Sequence, residues 1–141
     1  MPITKSCQQL VAEAMNEVTT YSVPQVLARL NDANTQIVDI RDVRELERDG
    51  TVVGAFPAPR GMLEFWVDPA SPYHKPLFAD ESKEFILFCG GGWRSALAAK
   101  VLQDMGMSNV AHIEGGYAAW VKHGAPTETL DQQKARRKPK A

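Results

Sequence analysis

Cysteine is scarce in this sequence: 141 residues hold two, Cys7 and Cys89. They lie far apart and make no Cys-x-x-Cys pair, which argues against a disulfide framework and suits a reducing compartment. The three histidines, His74, His112 and His123, are scattered without metal-ligand spacing, so no metal is expected. Charge of one sign is lacking too. The net charge of −1 gives no electrostatic reason to expect nucleic acid as a partner. The N-terminus has no apolar run of signal-peptide or membrane-spanning length, so the expectation is a cytoplasmic protein with no membrane partner. No internal repeat is visible.

What remains is ordinary globular material, 44% hydrophobic and 23% charged, enough for one domain with a real core. Leu10, Val11, Ala14, Met15 and Val18 make one helical stripe, which predicts a packing helix with Cys7 as a small buried hydrophobe beside it. Ser22-Val23-Pro24 opens a helix through Val26, Leu27 and Leu30. Gln36 to Ile40 predicts a buried strand, and Arg41 to Glu47 a short charged helix ended by Asp49-Gly50. Phe85 to Phe88 predicts a second buried strand, followed by a helix carrying Leu97, Ala98, Val101, Leu102 and Met105. Asn109 to Ile113 reads as another strand, and Gly115-Gly116 opens a last helix. This alternation implies an α/β fold with a mainly parallel sheet. Ligands of such sheets sit beyond the carboxyl ends of the strands, where Asp39 and Cys89 both fall. Residues 1–19 read as an N-terminal helical extension and 20–126 as the main domain. Residues 127–141 read as a basic tail, solvated and unstructured, with Lys134, Arg136, Arg137, Lys138 and Lys140 set against Glu128 and Asp131.

The chemistry concentrates in Cys89-Gly90-Gly91-Gly92-Trp93-Arg94-Ser95. Consecutive glycines let a backbone curl and turn its N–H groups inward. The helix start that follows adds unpaired N–H groups and a positive dipole end. An anion is stabilised in such a place, and a cysteine at its rim is expected to be held as the reactive thiolate. Arg94 contributes a permanent charge and a planar fork suited to an oxyanion.

Four segments together resemble the single-domain rhodanese family of sulfurtransferases. Asp39-Ile40-Arg41-Asp42-Val43-Arg44-Glu45 is similar to its Asp-x-Arg signature with a glutamate four residues on. Val53-Gly54-Ala55-Phe56-Pro57 is similar to its Pro-Gly-Ala turn, with Val53 where the family usually has proline and Thr51 in place of a common histidine. Cys89 to Arg94 resembles its active-site loop, and Gly115-Gly116 with Trp120 its closing motif. The resemblance spans roughly Thr20 to Ala125. It implies a small, mainly parallel five-stranded sheet with helices on both faces. It also implies a two-step reaction in which Cys89 takes the outer sulfur of a donor such as thiosulfate. The resulting persulfide then passes that sulfur to cyanide or a thiol.

In that reading Cys89 and Arg94 are catalytic. Gly90, Gly91, Gly92, Trp93 and Ser95 form the persulfide-binding loop, with backbone N–H groups from Gly90 to Arg94 converging on the terminal sulfur. Asp39, Arg41 and Glu45 support the loop, and Arg60 is a candidate anion contact. No cofactor is implied; a persulfide-carrying protein is an alternative donor. Two other readings stand beside this one. One is a non-enzymatic module that binds a protein or senses reactive sulfur. The other is a cysteine phosphatase or arsenate reductase, whose characteristic loop is one residue longer between cysteine and arginine.

Overall fold

In the computed structural model, which describes residues 2–137, the elements run in chain order as follows. They are α1 (Cys7–Glu17), β1 (Thr19–Tyr21), α2 (Val23–Leu27), β2 (Thr35–Asp39), α3 (Val43–Asp49), β3 (Thr51–Val52), β4 (Phe56–Pro57), α4 (Leu63–Val67), β5 (Glu84–Phe88), α5 (Trp93–Asp104), β6 (Val110–Ile113), α6 (Gly116–Lys122), β7 (Thr127–Glu128) and α7 (Leu130–Arg137). Five strands form one sheet in the order β1-β6-β5-β2-β4, and every neighbouring pair is parallel. The expected α/β architecture, a five-stranded parallel sheet flanked by helices, is therefore present.

The central strand β5 shows why the sequence folds this way. Its residues alternate between two cores. Phe85 and Leu87 pack with α4 and α5 through Leu63, Val67, Ala98, Ala99 and Leu102. Ile86 and Phe88 pack on the other face with Val23 and Val26 of α2 and Tyr117 and Trp120 of α6. All four side chains are fully buried, each stabilising the fold by about 1.5–3 kcal/mol. This two-sided burial is what a continuous apolar run records. The same alternation points Cys89, one residue beyond β5, toward α5.

The N-terminal helix lies along α5, where Val11 and Ala14 pack with Ala96. Cys7 departs from expectation. It is exposed, because the packed stripe begins at Val11 and Cys7 opens the helix a turn before it. Strand β1 was not legible as a strand. It is three residues long, Thr-Thr-Tyr, and borders only β6.

The expectation of an unstructured tail is corrected over residues 127–137. Thr127 and Glu128 pair antiparallel with Val52 and Thr51. In α7, Leu130 and Gln133 are buried, the Gln133 amide donates to the Ala55 carbonyl at 3.0 Å, and Arg136 binds Glu128 at 2.7 Å. A few specific partners hold a segment that its composition alone would leave in solvent. Lys138 and Lys140, part of the same expected tail, lie outside the described residues.

Candidate active site

Cys89 is the floor of the site, at the base of the glycine loop. It is 1% exposed, because strand parity turns it under α5 while the glycine loop passes above. The loop closes through Gly92, whose φ of 102° is a left-handed conformation that favours glycine. That turn brings the Gly92 amide to 3.1 Å from Cys89 Sγ. The Ser95 amide, in the first turn of α5, donates to the same sulfur at 3.4 Å, and the thiol donates to Ser95 Oγ at 3.5 Å. Two amides thus reach Sγ itself, that of Gly92 in the loop and that of Ser95 just beyond it.

A second helix buttresses the loop from behind. The α6 amides of Tyr117 and Ala118 donate to the carbonyls of Cys89 and Gly90 at 2.8 and 3.0 Å. Gly116 permits that approach: a Cβ there would lie 2.5 Å from the Cys89 carbonyl oxygen. The Gly115-Gly116 motif therefore serves the loop as well as its own turn.

The supporting residues separate into two pairs. Asp39 and Arg41 are buried and joined twice through side chains, at 3.0 and 2.8 Å. Asp39 also accepts from the Arg41 amide at 3.0 Å and from the Thr51 hydroxyl at 2.7 Å. Arg41 donates to the Gly50 carbonyl at 2.7 Å and lies 4.2 Å from the centre of the Tyr117 ring. Arg94 and Glu45 form the outer pair, bidentate at 3.2 Å for each bond. The Glu45 carboxylate holds the Arg94 guanidinium above its ordinary pKa. Arg94 lies against Gly90, where a Cβ would come within 3.1 Å of its guanidinium. Arg60 stands apart from both pairs. It opens a 3₁₀ turn (Arg60–Met62), its amide bonds the Ile40 carbonyl at 3.1 Å, and its guanidinium binds Glu64.

The loop divides two hollows. One of about 420 Å³ is lined by Gly90 with Arg41, Glu45, Arg48 and Tyr117 among others. A smaller one of about 190 Å³ is lined by Gly91, Gly92, Trp93, His112 and Met15 among others. Trp93 is 53% exposed and walls this second hollow. No group of three or more His, Cys, Asp or Glu residues among the described ones is arranged to hold a metal. No described helix is long and apolar enough to cross a membrane.

Sequence reasoning missed His112. Its Nδ1 lies 2.9 Å from Ser95 Oγ and its Nε2 lies 3.0 Å from Thr20 Oγ1. Burial pushes its pKa from 6.5 down to about 4. One signal was available. His112 is polar within Val110–Ile113, a strand buried along its whole length, and a buried polar side chain has to find partners.

Known proteins resemble this chain to different extents. A solved structure from Rhodopseudomonas palustris, of unknown function and described as a possible tyrosine phosphatase, superposes with a TM-score of 0.87 at 48% identity, over 91% of this chain and 98% of that one. A chloroplastic thiosulfate sulfurtransferase of Arabidopsis thaliana is 31% identical, over 68% of this chain and 82% of its own length. A tRNA uridine(34) hydroxylase of Prochlorococcus marinus is 26% identical over 89% of this chain, which spans about half (46%) of that relative's length. The family described as the rhodanese-like domain matches residues 22–123, the stretch containing the sheet's four inner and edge strands from β2 to β6 and the whole Cys89 loop. With cup, buttress and buried Asp–Arg pair in one sheet's carboxyl end, the chain belongs to the rhodanese-like domain family.

Proposed function

We propose that this chain is a sulfurtransferase working through a Cys89 persulfide. The observation that carries the reading is the pair of amides, Gly92 and Ser95, aimed at one sulfur. Donors placed before reaction stabilise an anion without reorganising when it forms. The Cys89 thiolate attacks the outer sulfur of thiosulfate; an S–S bond forms to Cys89, and sulfite leaves with the electron pair of the bond that breaks. Cyanide or a thiolate then attacks the persulfide's terminal sulfur, and the Cys89 thiolate is released. Total charge is conserved in each step, and no redox partner is required.

The roles divide by geometry. Cys89 is the nucleophile. Gly90 to Gly92 carry no side chain over it, and Trp93 walls the hollow on one side of the loop. Arg94, held on Glu45, fixes the loop and sets a positive charge beside the mouth, favouring an anionic donor. Cys89 is 1% exposed and lines neither hollow beside the loop, so transfer requires the glycine loop to yield to the donor. That requirement favours a small donor or a slender persulfide presented by another protein.

A phosphatase reading has one supporting observation, the description attached to the Rhodopseudomonas protein. Against it, four residues separate Cys89 from Arg94 here, which makes a cradle matched to one sulfur atom rather than a tetrahedral phosphate. A binding module without catalysis is the remaining reading, and the cysteine it would not need is in place. Thiocyanate formation from thiosulfate and cyanide decides among them. The expected result is turnover that disappears in Cys89→Ser. Phosphate release from an aryl phosphate, with no sulfur transfer from any donor, would overturn the assignment.

A further inference from the structure

A continuous chain of polar groups runs from the N-terminal helix to the reactive sulfur. Strands β1 and β6 pair in a register that sets Thr20 opposite His112. Thr20 Oγ1 lies 3.0 Å from His112 Nε2, and Met15 Sδ of α1 lies 3.2 Å from the same nitrogen. His112 Nδ1 lies 2.9 Å from Ser95 Oγ, which lies 3.5 Å from Cys89 Sγ. The imidazole is 1% exposed. Its bonded neighbours are two hydroxyls and a thioether, with no carboxylate among them.

The hydrogens in this chain can be counted. A serine hydroxyl has one to give. While Cys89 is a thiol, its S–H donates to Ser95 Oγ. The serine hydrogen is then free to point at His112 Nδ1 or at the Gly92 carbonyl, 3.3 Å away. Once the sulfur is a thiolate it has no hydrogen to give, and the serine hydrogen has reason to turn onto it. The serine oxygen then needs a donor of its own, and His112 Nδ1 is placed to be that donor. With Cys89 a thiol, Nε2 can carry the hydrogen and donate to Met15 Sδ, which has none to give; with Cys89 a thiolate, the hydrogen is required on Nδ1, and the Thr20 hydroxyl is placed to donate to the bare Nε2.

We propose that His112 is a positioning residue for Cys89: as the Nδ1–H tautomer it holds Ser95 so that the serine hydroxyl donates to the cysteine sulfur whenever that sulfur is an anion. The ring stays neutral throughout, because burial holds its pKa at about 4. It therefore acts as a neutral donor to Ser95 in the thiolate state rather than as a general base. The proposal builds on the sulfur-transfer reading in one respect. Thiolate is the form that attacks in the first step and leaves in the second, so this bond supports both.

The test uses the full chain and a probe that needs no sulfur donor, which separates its failure from failure of the transfer reading. The rate of alkylation of Cys89 by iodoacetamide at neutral pH is compared across variants. His112→Leu and Ser95→Ala are each expected to slow it about tenfold, the usual loss for a hydrogen bond to a charged group. His112→Asn, which offers an amide N–H near the place of Nδ1, is expected to stay within about threefold of the wild type. The double variant Ser95→Ala/His112→Leu is expected to be no slower than either single change, because both break one chain. A His112→Leu rate equal to the wild type, or single effects that multiply in the double variant, would overturn the proposal. Ring-nitrogen NMR of the wild type keeps the question open to refutation if the leucine variant does not fold. Hydrogen on Nδ1 with Cys89 ionised is the expected result; hydrogen on Nε2 alone contradicts the assignment.

Discussion

Two arginine–carboxylate pairs flank the Cys89 loop with the same chemistry and opposite surroundings. The Arg41 and Asp39 side chains are 2% and 0% exposed, and Thr51, Gly50 and the Tyr117 ring satisfy what the pair itself does not. The Arg94 and Glu45 side chains are 45% and 26% exposed. A buried pair has to be kept whole, since removing one partner leaves a charge without solvent. An exposed pair is screened and contributes little to stability. The inner pair therefore builds the end of β2 on which the site rests. The outer pair carries little of the fold's stability.

The sharpest way to break this comparison is to remove one carboxylate from each pair. Asp39→Ala is expected to destabilise the fold by about 3–5 kcal/mol in urea denaturation, whereas Glu45→Ala is expected to cost about 1–2 kcal/mol, most of it the bond its carboxylate accepts from the Asp42 amide at the start of α3. Equal losses would erase the distinction between scaffold and clamp. The next effect separates buried from exposed groups by pH. His112 titrates near 4 in the folded chain against 6.5 for the free side chain, so protons bind the unfolded state first. Stability is complete above about pH 6.5 and declines as the pH falls toward 4, by on the order of 3 kcal/mol from this group. Denaturation midpoints measured across that range should show the decline in the wild type, with this contribution missing in His112→Asn. A variant that declines just as steeply would assign the loss to other groups.

A third change reads function rather than stability. Arg94→Ala is expected to slow transfer from thiosulfate about tenfold, the loss of one charge-assisted contact, with little change in the unfolding midpoint. The reverse pattern, a large stability loss with an unaltered rate, would move Arg94 into the scaffold. The smallest effect on activity is expected from the far end of the molecule. Deleting residues 130–141 should leave the thiosulfate rate within about twofold. Stability should fall by about 1.5–3 kcal/mol through loss of buried Leu130. A collapse in rate in a folded truncation would tie α7 to the site.

Most of the site's backbone was legible in the sequence, because local chemistry dictates it. A continuous apolar strand ending in cysteine, three glycines and a helix start leave few arrangements, and Gly92 takes the left-handed turn such a loop needs. The helix α3 was equally plain. Asp42 caps it in a box with Glu45, and Gly50 ends it with φ of 77°. Long-range features were harder to read. His112 lies 17 positions from Ser95 and 92 from Thr20, so its place in the Cys89 network appears only when β6 lies between β1 and β5. The place of Cys89 at the base of the loop was plain, but its burial, 1% exposed, follows from strand parity and the loop's curl. The C-terminal segment reads as solvated because its apolar content is low. Leu130 and Gln133, spaced three apart on one helical face, suffice to dock it. Cys7 erred the other way, since its place near an apolar stripe does not say which turn of the helix is covered.

The central claim is that the cup above Cys89 accepts one sulfur atom and keeps it. Intact mass after incubation with thiosulfate, with the modified residue located by peptide mapping under non-reducing conditions, tests it directly. The expected result is a gain of one sulfur at Cys89, with Cys7 unmodified and no gain in Cys89→Ser. An unchanged mass with thiosulfate and with protein-borne persulfide donors alike would contradict the account.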